Sequence, residues 1–201
     1  MKALNILLCL ALTVCASRAA TQPVTVPDGW TIRSANNDYQ VSVDSANFSQ
    51  GKHSACLKAT TSSPQKFVDL MQSFRADDYR GKRLRLSAQV KVQGTRPETQ
   101  LWMRIDTASK RSVAFDNMAD RVIRSPSDWK KWEIVLDVPP DSLNISFGVL
   151  LAGNGQVWVD DFQFEVVGAL VPVTKGLNPR PSAKQSEPAK QIKPVNLDFE
   201  R

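Results

Sequence analysis

The sequence predicts an all-β sandwich, and three observations carry that prediction. Short runs that alternate apolar and polar residues recur from residue 30 to residue 167. Gly, Pro, Asn and Asp clusters punctuate them. No segment keeps a helical period beyond two turns. Many short strands separated by turns build sandwiches or barrels. Strands distant in sequence commonly pair in such folds, so a Greek-key or jelly-roll topology is expected.

Each element has its own signal. Tyr39, Val41 and Val43 alternate with Gln40, Ser42 and Asp44. Residues 54–58 follow the Gly51 turn, and residues 66–74 form an apolar run. The cluster from Asp77 to Lys82 reads as a turn. Residues 83–92 give the cleanest alternation, with Leu84, Leu86, Ala88, Val90 and Val92 inward and charges outward. Residues 100–106, 112–116 and 132–138 are further strands, the last stopped by Pro139 and Pro140. Residues 144–151 end at Gly153, Asn154 and Gly155, and residues 156–167 close the domain. Trp30, Trp132 and Trp158 are assigned to the core, where large aromatic side chains dominate burial.

The flanks differ in character. Residues 1–20 read as a secretory leader: Lys2 precedes a short apolar run, and small and polar residues follow at Ala16, Ser17 and Ala19. That run is shorter than the roughly 20 residues of a membrane span. The reading places the chain outside the cytoplasm, secreted or periplasmic, with Cys15 a weaker lipidation candidate. Residues 21–29 form a lead-in. Residues 168–195 carry five prolines among Lys, Gln, Ser and Ala, and read as an extended, disordered linker.

Composition limits the chemistry. Removing the leader takes Lys2 and Arg18 and lowers the net charge from +6 to +4, with much of the excess in the tail. That is not the concentrated basic face of a nucleic-acid binder. Only Cys56 lies beyond the leader, so no internal disulfide forms, and a buried thiol is expected. The one histidine, His53, has no nucleophile partner in view. Neighbouring acids such as Asp77 and Asp78, or Asp160 and Asp161, point to opposite faces of a strand. The expectation is therefore a non-catalytic protein. A saccharide site would combine an aromatic face with planar polar groups. Trp102, Arg104 and Asp106 share one face of a strand, opposite Leu101, Met103 and Ile105. With Asp116, Asn117 and Arg121 in the loop beside them, they are the candidate ligand-binding residues.

The order of these pieces resembles the galactose-binding-like jelly rolls, including many carbohydrate-binding modules. Gly29-Trp30 comes first, then the Gly51 to Ala55 turn and strand, then Tyr79 to Lys82 leading into a long strand. Trp129 to Trp132 precede a strand ending in Val138-Pro139, and Val157 to Phe162 close the set. The resemblance covers roughly residues 28–167. It implies an exported, non-catalytic module for carbohydrate or cell-envelope glycan. The alternative is a protein-interaction or accessory domain from a truncated hydrolase or regulator architecture. It also implies a structural calcium held by Asp44, Asp160 or Asp161 and the backbone around Gly51 and Lys52. The family usually opens with Asn-x-x-Phe-Glu before the Gly-Trp pair. Here that pattern stands at the other end, as Asn196 to Glu200. Either residues 196–201 begin a second module, which is the favoured reading, or the tail folds back to supply the missing first strand.

Overall fold

A computed structural model describes residues 26–34, 37–109, 112–174 and 186–201. The leader read in residues 1–20 lies outside them. Eight strands are present: β1 (Thr31–Ser34), β2 (Tyr39–Asp44), β3 (Ser54–Ala59), β4 (Phe67–Arg75), β5 (Arg83–Thr107), β6 (Ala114–Asp116), β7 (Ser127–Asp137) and β8 (Ser142–Val167). No described residue is helical, and no described helix is long and apolar enough to cross a membrane.

The sequence separates residues 83–92 from 100–106, and 144–151 from 156–167. The structure joins each pair into one long strand, β5 and β8, which stay antiparallel partners along their lengths. Their first and second halves serve different sheets. One sheet runs β1-β4-β8-β5-β6 and the other β2-β3-β8-β5-β7. The crossing falls at a register shift between Gln93 and Arg96. Gly94 sits there at φ +124°, where a Cβ would come within 2.5 Å of Gly155 Cα. Gly153 faces Arg96 at φ +71°. These glycines look like turns in sequence but act as bends, because only residues without a side chain let two paired backbones fold over together.

Between the sheets lies one core. Leu84, Leu86, Val90, Leu101, Met103 and Ile105 of β5 face Ile145, Phe147, Val149, Leu151, Val157 and Val159 of β8, all fully buried. Phe147 gathers Trp30, Phe74, Phe162 and Phe164 around it at ring separations of 4.9–6.0 Å. Trp30 belongs to this cluster, as expected. Trp132 is only partly buried, under Lys130. Trp158 is buried but lies on the outer side of the second sheet, in the row of Cys56 and Lys91.

Both tail segments depart from the linker expectation where they are described. Arg83 donates to the carbonyls of Ala169 and Val171, and Thr174 caps the β7 edge at Val135. Asn144 holds Glu187 and Ala189, and Gln191 bridges to Phe74 on β4. Residues 196–200 do not start a separate unit. Phe199 is 1% exposed, within 5.1 Å of the Trp30 ring, and Phe162 N–H donates to the Leu197 carbonyl. The tail folds back, as the alternative has it, but as a turn and not as the missing first strand. Gly29 and Trp30 leave that end of the core unfilled, and Phe199 of the tail fills it.

Candidate functional site

The outer face of the first sheet carries the densest polar chemistry. β5 presents Gln100, Trp102, Arg104 and Asp106 there, because their neighbours Leu101, Met103 and Ile105 are committed to the core. Register places Trp102 beside Gly148 and Met71, and Arg104 beside Ser146 and Ser73. Asp69 of β4 stands one row away, next to Arg33 of β1. The Trp102 indole crosses β8 in the row of Gly148, which offers no side chain, and its Nε1 donates to Asp69 Oδ1 at 2.7 Å. Arg33 donates to the other Asp69 oxygen and lies 5.8 Å over the Trp102 ring. Burial pushes the Asp69 carboxyl above the ordinary range, against the opposing pull of these donors. Arg104 pairs with Asp106 at 2.9 and 3.0 Å, and Ser73 and Ser146 share a hydrogen bond of 2.7 Å.

The predicted trio therefore shares a face, but it is not an open platform. Trp102 is 5% exposed and Asp106 3% exposed. A saccharide could not stack on Trp102 without moving Arg33. The loop residues form a separate internal network. Asp116 is fully buried and accepts from Met118 N, Arg121 and the Thr174 hydroxyl. Asp116 and Arg121 thus fasten residue 174 to the sandwich. Asn117 is half-buried beside them, its Oδ1 buried. The proposed groove of six residues is two clusters, because in-strand alternation fixes the face but not what covers it.

Sequence reasoning missed Arg33, Asp69 and Gln72. At the β4 edge, beyond the end of β1, a groove of about 440 Å³ is floored by Met71, Gln72 and Ser73 and walled by Gly29–Thr31 and Ala189–Gln191. Gln72 spends its amide on the tail, with Nε2 donating to the Val195 carbonyl and Oε1 accepting from Val195 N. The apolar run over residues 66–74 flagged the strand; nothing in it flagged the partner 123 positions away.

The second sheet repeats the first sheet's device. Trp158 Nε1 donates to Asp44 Oδ2 at 2.7 Å, and Lys91 lies 5.7 Å from its ring. Burial alone would raise the Asp44 carboxyl, but Trp158 and the N–H groups of Ala46 and Asn47 hold it below the usual range. The three acids predicted for calcium do not converge. Asp160 Oδ2 accepts from Ser49 N and Gln50 N, and its Oδ1 from Asp161 N. Asp161, at a bulge with φ 50°, bonds Gln50 and Gln163. Among the described residues no group of three or more acidic, His or Cys side chains could hold a metal. Carboxylates whose oxygens accept N–H donors are built to hold a loop, and this set does not fit a calcium cage. Glu200 holds the next turn of the same loop. Its Oε1 accepts from Lys52 N at 2.6 Å and His53 N at 3.0 Å, which keeps its carboxyl below the ordinary range. His53 Nδ1 lies 3.2 Å from Glu200 Oε2. Cys56 is buried as expected, its thiol pushed up to about 11 by burial.

Comparison with solved structures places the architecture. A Clostridium thermocellum endo-1,4-β-D-xylanase 10B fragment, comprising family 22 carbohydrate-binding and GH10 modules complexed with xylohexaose, matches with a TM-score of 0.55 and 17% identity, over 75% of this chain and 28% of that one. The C-terminal family 22 carbohydrate-binding module of Xyn10B from the same organism matches with a TM-score of 0.52 and 13% identity, over 72% of this chain and 89% of that one. The fold is that of the carbohydrate-binding jelly rolls. The enzymatically active domain of a bacteriophage CBA120 tailspike also matches, with a TM-score of 0.52 and 15% identity, over 70% of this chain and 20% of that one. No family model matches the sequence.

Sequence comparison points elsewhere for function. The chain is 41% identical over 174 residues to the uncharacterized HTH-type transcriptional regulator YbfP of Bacillus subtilis (strain 168), covering 86% of this chain. It spans 56% of that relative's length. This corrects the functional expectation of a carbohydrate- or glycan-binding module. A relative at this identity outweighs solved structures below 20%, whose likeness reaches the fold alone.

Proposed function

We propose that this chain is the effector-sensing sandwich of a transcription-regulator type of architecture and does not itself read DNA. The observation that carries this is the 41% identity to a protein named as an HTH-type regulator, spread over most of the sandwich. A helix-turn-helix needs two packed helices. The described residues contain none, so the shared sandwich answers to a different task in such a protein. Sensing a ligand is the task its geometry supports best. The first sheet's outer face carries the guanidinium groups of Arg33 and Arg104 and the carboxamide of Gln100, with the groove beside Gln191. These suit a small polar effector.

Isothermal titration of the folded chain with a panel of small polar metabolites of differing charge tests the sensing step. Electrophoretic mobility shift on random duplex DNA tests the other half. Saturable binding of one panel member that Arg104→Ala weakens at least tenfold supports the proposal. Tight DNA binding by the sandwich alone refutes it.

A further inference from the structure

The chain's own C-terminus occupies a site with the features of a peptide receptor. Phe199 enters the core between Trp30 and Phe162, at ring separations of 5.1 and 6.2 Å. Glu200 takes two backbone N–H groups of the 51–53 loop. Asn196 closes the turn between them. Its side chain exchanges two hydrogen bonds with the Arg201 backbone, and its carbonyl accepts from Trp30 Nε1 at 3.0 Å. The sandwich is shaped for this guest at two glycines. A Cβ on Gly29 would meet Val195 Cγ2 at 2.3 Å, and one on Gly51 would meet Glu200 Oε1 at 2.3 Å. Both glycines also hold positive φ. Asn196 and Phe199 themselves sit at φ 49° and 57°. Such backbone persists only where surrounding contacts over-determine it.

We propose that this is a receptor for an Asn-x-x-Phe-Glu segment, and that the tail of a second copy of this chain can fill it in place of the chain's own. The guest is recognised at two points, an aromatic ring in the core and a carboxylate on paired N–H groups. Residues 175–185 join Thr174 to Ser186, and a chain of that length reaches at most about 40 Å, enough for a neighbouring copy. Exchange of an identical element is a low-cost route to a dimer. A tethered guest competes at high effective concentration, so the chain's own tail holds the site in dilute solution. The proposal rests on the docked tail and is independent of the regulatory reading.

The test uses the full chain carrying Phe199→Ala and Glu200→Ala, with a fluorescein-labelled synthetic peptide of residues 194–201 as probe. Saturable binding to this variant, at least tenfold tighter than to the unaltered chain, is expected. A peptide with the same two alanines should not bind. A variant that is folded by circular dichroism yet binds no peptide overturns the proposal, as does equal binding to both chains. Should the variant not fold, the unaltered chain decides. Isotopically heavy and light populations are mixed at high concentration, warmed to partial unfolding and cooled. Mixed dimers by native mass spectrometry are expected, and their absence overturns the proposal.

Discussion

Replacing Phe199 by alanine measures how far the tail belongs to the core. The ring is 1% exposed, faces Trp30 and Phe162, and lies within the same cluster as Phe147. Deleting a fully buried Phe side chain costs about 3–5 kcal/mol from lost transfer energy and the cavity left behind. Each good aromatic pair adds about 0.5–1.5 kcal/mol within that sum. The loss has a ceiling, because a tail that grips poorly can detach and spare the rest. A loss of about 3 kcal/mol is therefore expected, which lowers the melting midpoint by about 6–12 °C in a domain of this size. Urea melts followed by tryptophan fluorescence supply the free energy, with Phe199→Leu as a control expected to lose under about 1.5 kcal/mol. A Phe199→Ala chain within about 0.5 kcal/mol of the parent would refute the assignment of the tail to the core.

The remaining predictions address the other constructions. Trp102→Ala removes a buried ring and leaves Asp69 without its indole donor, so a destabilisation of about 3–5 kcal/mol is expected by thermal melting; a stable variant would show that the indole merely covers the sheet. Gly94→Ala forces a side chain at φ +124° against Gly155, and should lower stability by about 2 kcal/mol or more or abolish folding. Glu200 is held below the ordinary carboxyl range by the Lys52 N–H. Its contribution to tail docking is thus complete above the unfolded pKa of about 4.3 and lost as pH falls through the lower folded value. Amide exchange at residues 51–53 should rise over that acid range, and Glu200→Gln should flatten the pH dependence. Burial raises Asp69 and Asp160, so folding favours their protonated forms and global melting will show the Glu200 effect poorly. Calcium or EDTA should leave the melting temperature unchanged, since Asp44 and Asp160 already accept N–H donors; a rise of several degrees would show that the loop rebuilds around a cation.

Alternation along residues 83–92 and 100–106 made the strands and their inward faces legible, because a period of two assigns every side chain to a side. It also placed Trp102, Arg104 and Asp106 together correctly. It did not show that Arg33 and Asp69 cover Trp102, since these come from strands whose pairing partners lie far away in sequence. The glycines at 94, 153 and 155 misled in the other direction. Local propensity reads them as turns, whereas β5 and β8 run on past them as paired strands after a register shift between Gln93 and Arg96.

The sequence by itself determined an all-β chain with a buried thiol, an apolar inner face and an Asn-x-x-Phe-Glu pattern at the wrong end. Only the tertiary structure decided where that pattern goes. Its signal is two anchors, a ring and a carboxylate, whose receptors are Trp30, Phe162 and the 51–53 loop. Those receptors are assembled from three distant segments, so no local pattern encodes them. The same holds for the candidate site. Residue type and face are local properties, but exposure and partners are set by which strands pair, and that choice belongs to the whole core.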